Sequence, residues 1–234
     1  MLVSIIIPCY NEEKNINRTF DELIGMLSEE MYEYELIAVN DGSKDNTWDV
    51  IKEYSAKYSQ IKGVNLMTNF GQSAAYMAGF DATKGDYVIT VSADLETPLD
   101  NISKILKYLE QGYDFVNTNR VGRWGGKNST KNSKSGLANK IITRVSGVDM
   151  KDRGSGMKGF RRVLIDNLKL YGEMHRFIPD YLSTFGAKMI EFDVEFKDRD
   201  FGVSAYRGSK RTVKVLLDII TLAFLLYFAK KPLE

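Results

Sequence analysis

The sequence predicts a doubly wound α/β fold, and three observations carry that prediction. Strand-like runs begin at Leu2, Tyr34, Ile61, Asp86 and Asp114, so successive starts lie 25 to 32 residues apart. That is the length of one strand plus one crossover helix. The runs Val3–Ile7, Leu36–Val39 and Tyr87–Val91 are apolar on both faces, as parallel strands covered on two sides are. Between the runs, apolar residues return at helical spacing, as at Ile16, Phe20, Leu23, Ile24 and Leu27. Together they place a mostly parallel central sheet between helices, through about Asn119.

The elements follow in order. The first strand runs out into Pro8-Cys9-Tyr10-Asn11-Glu12-Glu13, where Asn11 is placed to cap the next helix and the two glutamates suit its first turn. The second ends in Asn40-Asp41-Gly42-Ser43-Lys44-Asp45-Asn46-Thr47, a turn that also caps a helix. After the fourth comes Ser92-Ala93-Asp94-Leu95-Glu96-Thr97-Pro98-Leu99-Asp100. There Thr97 and Asp100, with Pro98 at the first helical position, read as a capping box. Residues 120–134 are rich in Gly, Lys, Asn and Ser, and read as a long loop of the kind that closes over or binds ligands. Ser135–Ser146 looks helical, Lys188–Phe196 strand-like, 197–208 a second polar loop, and the tail from Ser209 helical.

Composition excludes several function classes. Among 234 residues, 32 basic side chains face 31 acidic ones, so no global field points to nucleic acid. The single cysteine, Cys9, leaves no disulfide framework and suits a reducing compartment. Leu2 to Pro8 is too short and strand-like for a signal peptide, and no stretch reaches the roughly 18–20 apolar residues that span a bilayer. The expectation is a soluble, intracellular chain.

In an open parallel sheet, ligands bind at the carboxyl ends of the strands. On that edge the helix start explains Thr97, Pro98 and Asp100, but leaves Asp94 and Glu96 unexplained. Two carboxylates at i and i+2 suit magnesium or manganese, hard cations that take one or two protein carboxylates and complete their shell with phosphate and water. A diphosphate leaving group needs such neutralisation, because its charge grows as the bond to sugar breaks.

The segments SIIIPCYNEEKNI, VNDGSKDNT, NFGQSAAYMAGFDATKGDYVITVSADLETPLD, DRGSGMKGFRR and RDFGVSAYRGSKRT occur in that order. Together they resemble family 2 glycosyltransferases of the GT-A fold, in the polyprenyl-phosphate branch that includes dolichyl-phosphate mannosyltransferase and bactoprenol glucosyltransferases. The likeness covers nearly the whole chain. It implies a Rossmann-like, nucleotide-sugar-binding fold, with residues 1–208 as catalytic domain and 209–234 as a C-terminal helix at the membrane or leading to transmembrane segments. Pro8, Tyr10, Asn11, Glu12 and Asp41 match the family's nucleotide-binding motif, joined by Ser92, Ala93 and Asp94. Asp94 matches the metal-binding acid of D-x-D-x-Q, so the resemblance implies Mg²⁺ or Mn²⁺ on Asp94 and Glu96. Three positions depart from the pattern: Ser92 stands for the first Asp, Glu96 for Gln, and Asn40 for the first Asp of D-D-G-S. The Q-x-x-R-W motif of processive cellulose and chitin synthases is missing, which sets that branch aside.

On the acceptor side, arginines grip phosphate bidentately. Arg120, Lys134 and Ser135 bracket the first loop, and RDFGVSAYRGSKRT resembles the family's R-x-x-G-x-S-K-Y loop, which implies phosphate contacts for Arg199, Ser204, Tyr206 and Arg207. Ala205 replaces the usual Lys there. Arg120 and Arg199 join Asp94 as the expected catalytic residues. Asp152 with Ser155-Gly156 resembles the family's D-x-x-S-G segment, Glu173 and Arg176 gain weight through the resemblance, and His175, the only histidine, reads first as structural.

The sequence therefore points to an inverting transfer of a hexose from a UDP- or GDP-sugar to a polyprenyl phosphate at the cytoplasmic membrane face. Transfer to a glycan hydroxyl is the first rival. A catalytically weak nucleotide-sugar-binding domain is the second, motivated by Ser92 and Asn40. Val215–Ala229 is apolar apart from Asp218 and Thr221 and is flanked by Lys210, Arg211, Lys214, Lys230 and Lys231, which suits an interfacial helix on anionic head groups. A homo-oligomer or a separate membrane subunit fits the same tail. The base, the sugar and the prenyl length are not legible.

Overall fold

The structure is a computed structural model, and it describes residues 1–28, 32–122, 142–144, 146–197, 220–224 and 227. Its chain alternates β1 (Leu2–Cys9), α1 (Ile16–Leu27), β2 (Glu33–Asn40), α2 (Thr47–Lys57), β3 (Ile61–Asn65), α3 (Gln72–Ala82), β4 (Tyr87–Thr90), α4 (Asn101–Glu110) and β5 (Phe115–Val121). Then come β6 (Lys158–Arg161), α5 (Arg162–Asn167), α6 (Ile178–Leu182) and β7 (Met189–Glu195). Short 3₁₀ turns at Met174–Phe177 and Ser183–Phe185 flank α6.

The strands form one seven-stranded sheet in the order β3-β2-β1-β4-β6-β5-β7. β1 pairs in parallel with β2 and β4, β2 with β3, and β5 with β7. Among the described residues only β6 runs the other way, inserted antiparallel between β4 and β5. The expected mostly parallel α/β sheet is what forms, and strand order reverses on the two sides of β1, where such sheets open a ligand crevice.

Alternation along each strand builds two cores. Val3, Ile5 and Ile7 of β1 pack with Phe20, Leu23, Ile105 and Leu109 on the α1 and α4 side. Ile6 turns to the other side, with Ile37, Val39, Tyr76, Phe80 and Phe160. Each such side chain taken fully out of water contributes roughly 1.5–3 kcal/mol. Two glycines set the spacing between layers. A Cβ at Gly79 of α3 would lie 2.5 Å from Ile6, and one at Gly159 of β6 would lie 2.2 Å from Ile105, so both helices approach the sheet only because nothing projects there.

The sequence expectation places the first five strands to within a residue and misses β6. It also places a helix start too early: α4 begins at Asn101, and no side chain caps it. The capping box at Thr97 does not form. Instead Asn101 Nδ2 and the backbone N–H groups of Asn101 and Ile102 bond to the carbonyls of Pro98 and Leu99, and Thr97 is buried. Likewise Arg120 and Val121 belong to β5 rather than to the following loop. In the tail, 220–224 and 227 are helical, with Leu222 buried against Ile142 and Phe177. Most of the loops expected at 120–134 and 197–208 lies outside the described residues.

Candidate active site

The carboxyl ends of β1, β2 and β4 bring together three loops. Pro8 lies partly buried near the end of β1, and the loop that follows holds Tyr10 and Asn11. Asn11 does not cap α1, which starts at Ile16, and Glu12 and Glu13 precede the helix. Asn11 sits at φ 56, a left-handed conformation that Asn tolerates better than most residues. From there it ties to the loop after β2: its N–H donates to Ser43 Oγ at 3.0 Å and its Oδ1 accepts from Lys44 N at 2.8 Å. Glu12 N donates to Thr47 Oγ1 at 2.8 Å, and Glu13 and Asp45 each accept a backbone N–H from the other's loop, from Asn46 and Glu13 respectively. The two loops are thereby zipped into one rigid edge.

Asp41 starts the second loop and is 4% exposed. Its Oδ1 accepts from Phe70 N at 2.8 Å, and its Oδ2 from Gly71 N and Asn69 Nδ2, each at 2.9 Å. Burial pushes its carboxyl up from the usual range, against the pull of the Phe70 and Gly71 N–H groups. The carboxylate therefore hangs the 69–71 loop in place. The replacement at Asn40 also has a local reason. Its Nδ2 donates to Asn65 Oδ1 at 2.7 Å while its Oδ1 accepts from Ser43 N, and an aspartate could not donate the first bond.

The third loop carries Ser92, Ala93 and Asp94. Ala93 is buried, its carbonyl accepting from Thr19 Oγ1 at 2.7 Å. Leu95 takes a positive φ of 53, turning the chain so that Glu96 N approaches Asp94 Oδ1 at 3.4 Å. Ser92 packs on Gly156: a Cβ at Gly156 would lie 1.9 Å from Ser92 Oγ. Glu96 is buried and pairs with Arg120 at 3.0 Å. Arg120 is in turn gripped by Asp152, with Nε–Oδ2 at 2.6 Å and Nη2–Oδ1 at 3.0 Å, and its Nη2 also reaches the Gly154 carbonyl at 2.7 Å. Asp152, 32 positions from Arg120, has no local sequence signal that joins it to Arg120, and only the fold supplies one.

The 151–157 segment beneath is held from several sides. Glu191 accepts from Lys151 N and Asp152 N, Asn117 Nδ2 donates to the Asp152 carbonyl, and Thr118 Oγ1 to the Met157 carbonyl. Lys158, almost wholly buried, donates from Nζ to the Ser155 carbonyl. His175 is also buried, and both its backbone N–H and its ring Nδ1 meet Ser73 Oγ at 3.0 Å, which fits the structural reading of that residue. Glu173 and Arg176 pair with each other at 3.1 Å. Lys134, Ser135, Arg199, Ser204, Tyr206 and Arg207 lie outside the described residues.

Among the described residues, no three His, Cys, Asp or Glu side chains converge as a closed metal cage. Asp94 is half-buried, with Oδ1 accepting from Glu96 N, and as a carboxylate it is the donor type that a cation of the magnesium kind takes.

Known proteins resemble the chain in sequence and in fold. The chain is 36% identical over 224 residues, 94% of its length and 67% of the relative's, to an undecaprenyl-phosphate 4-deoxy-4-formamido-L-arabinose transferase of Aeromonas hydrophila subsp. hydrophila. The enzyme of the same name from Photorhabdus laumondii subsp. laumondii is 34% identical over 220 residues, with the same coverage of 94% and 67%. Among solved structures, mannosyl-3-phosphoglycerate synthase from Rubrobacter xylanophilus superposes with a TM-score of 0.74 at 18% identity, covering 100% of this chain and 77% of that one. Glucosyl-3-phosphoglycerate synthase from Mycobacterium tuberculosis, solved with Mn²⁺, UDP-glucose and phosphoglyceric acid, gives 0.69 at 19% identity, over 96% and 79% of the two chains. These two share the fold, and it is the GT-A fold. The family model described as glycosyl transferase family 2 matches residues 4–169, and the chain belongs to that family.

Proposed function

We propose that the protein transfers a sugar from a nucleoside diphosphate sugar to a polyprenyl phosphate, with inversion at the anomeric carbon. The observation that carries the donor half is the placement of Asn11, Asp41 and Asp94 in the three loops at the carboxyl ends of β1, β2 and β4, the first two loops being tied to each other. The acceptor half is supported by the relatives, whose names specify undecaprenyl phosphate. Those names specify an arabinose derivative, a five-carbon sugar, and so do not support the hexose expected from sequence. The donor screen must include nucleotide-activated 4-deoxy-4-formamido-L-arabinose beside the UDP- and GDP-hexoses.

The chemistry asks for placement more than for a strong base. A phosphate monoester has a second pKa near 6, so the acceptor arrives anionic at pH 7 and attacks without losing a proton. The chain's work is to align the two reactants and to oppose the charge that builds on the diphosphate. Asp94 would hold a divalent cation there, and that ion would supply neutralisation of the leaving group. Arg199, Ser204, Tyr206 and Arg207, with Lys134 and Ser135, are the proposed phosphate contacts of the acceptor side.

The same reading puts the protein at a lipid surface. No helix among the described residues is long and apolar enough to cross a membrane. Ile220, Phe224 and Tyr227 are exposed at i, i+4 and i+7 on the tail helix, while Leu222 is buried on the protein side. We take that aromatic face to lie in the interface, with the flanking lysines on anionic head groups.

Radiolabelled sugar transfer into extracted lipid tests the proposal. Label is expected in polyprenyl phosphate and not in the free prenol, and Asp94→Ala should abolish the Mn²⁺-dependent tightening of UDP or GDP without unfolding the chain. Equal transfer to the alcohol would leave the hydroxyl-acceptor reading instead.

A further inference from the structure

Arg120 was expected to reach for phosphate, yet its side chain is 3% exposed and its donors are directed inward. Asp152 takes its fork bidentately, Glu96 takes Nη1, and the Gly154 carbonyl takes Nη2. A guanidinium survives burial only when paired and hydrogen-bonded in this way. The three segments it joins have different anchors. The 151–157 segment is fixed by Glu191, Asn117, Thr118 and Thr90, the last donating to the Gly156 carbonyl. The Asp94–Glu96 turn is anchored differently, through Leu95 in the core on the α1 and α4 side and through the buried Glu96. Its Leu95 is in a left-handed conformation, and beyond the Glu96 side chain it is held by the Lys197 N–H on the Glu96 carbonyl and the Leu95 N–H on the Ser92 carbonyl.

We infer that Arg120 is a positioning residue clamped between Asp152 and Glu96, which fastens the Asp94 turn to the rigid 151–157 segment, and that Glu96 serves this clamp rather than the metal. The inference rests on the donor-site reading above. It gives a reason for glutamate where the family pattern has glutamine: a second carboxylate on a buried arginine makes the joint ionic on both sides. Because catalysis depends on placement, a turn loosened by even 1 Å costs rate more than it costs binding.

The test uses Glu96→Gln, Glu96→Ala, Arg120→Lys and the Glu96→Ala/Arg120→Lys double variant, with Mn²⁺ and UDP as the binding probe. Glu96→Gln keeps an acceptor oxygen for Nη1, so Mn²⁺ affinity of the UDP complex should stay within about twofold of wild type, since roughly 1.4 kcal/mol would be needed for a tenfold change. Glu96→Ala and Arg120→Lys, which loses the fork, should each lower kcat roughly tenfold with KM nearly unchanged. The double variant should be no worse than the worse single one, as expected for two residues in one joint. Denaturant unfolding of wild type, Glu96→Ala, Arg120→Lys and the double variant, without metal or nucleotide, should show the same non-additivity. A roughly tenfold loss of Mn²⁺ affinity in Glu96→Gln, with Arg120→Lys at wild-type rate, would return Glu96 to the metal and overturn the clamp. Additive unfolding losses would overturn it as well. If Arg120→Lys does not fold, the two Glu96 variants decide through Mn²⁺ affinity and kcat. If wild type binds no UDP with Mn²⁺, the donor reading fails, while the unfolding cycle still judges the clamp.

Discussion

At the far end of the sheet from the site, Glu35 is buried with three donors on its carboxylate. Ser4 Oγ and Lys84 N reach Oε1 at 2.7 and 2.6 Å, and Lys62 Nζ reaches Oε2 at 2.5 Å. Burial works to raise its pKa, but the bonds from Lys62, Ser4 and Lys84 outweigh it and hold the carboxyl below its usual value. The unfolded chain therefore takes up a proton at higher pH than the folded one. The stability this group contributes is complete above the ordinary glutamate pKa and is lost as pH falls through the lower, folded value. Glu35→Gln should cost about 1–3 kcal/mol at neutral pH. The gap between the two proteins should narrow in acid, read by urea unfolding across a pH series. A gap that stays constant from neutral pH to about pH 3 would mean the carboxylate is not held down by the fold.

The loops after β1 and β2 are tied to each other, and the fit of the second depends on glycine. Gly42 sits at φ +63, and a Cβ there would lie 2.2 Å from the Thr68 carbonyl carbon. Gly42→Ala is thus strained in its own backbone and pushes on the loop that Asp41 suspends. We expect about 1–3 kcal/mol of lost stability and faster hydrogen exchange at Phe70 and Gly71, the amides bonded to Asp41. Unchanged protection of those two amides would show that the loop is held some other way. The same elements show what sequence can and cannot convey. Strands β1, β2 and β4 were legible because both their faces are apolar, and β3 and β5 because their starts keep the spacing of one strand plus one crossover helix. β6 was not, since Lys-Gly-Phe-Arg has one large apolar residue, its lysine is buried by the fold, and its glycine is there for Ile105. The expected cap at Thr97 failed for a related reason: that residue type marks helix starts in general, but here its side chain is committed to the interior. The Arg120 network escaped because its partners come from segments 24 and 32 residues away.

At the scale of the whole molecule, the proposed function assigns the sheet edge to the donor and the tail to the lipid that carries the acceptor. If the tail helix meets the membrane, its aromatic face must do so while Leu222 stays docked on Ile142 and Phe177. Phe224 and Tyr227 are 58% and 65% exposed, so replacing both by serine removes apolar surface that faces solvent. Burying two aromatic rings in the interface contributes roughly 1.5–3 kcal/mol each at full burial, and the interface gives part of that. The Phe224→Ser/Tyr227→Ser variant should therefore bind vesicles of anionic phospholipid at least about tenfold more weakly, by sedimentation. Its affinity for UDP with Mn²⁺ should be that of wild type, because the donor edge is built from other elements. Transfer to polyprenyl phosphate in vesicles should fall in step with binding, whereas transfer to a short-chain, water-soluble prenyl phosphate should persist. Wild-type vesicle binding by the variant would place this face against protein instead, and loss of the water-soluble reaction as well would mean that the tail supports the catalytic domain itself.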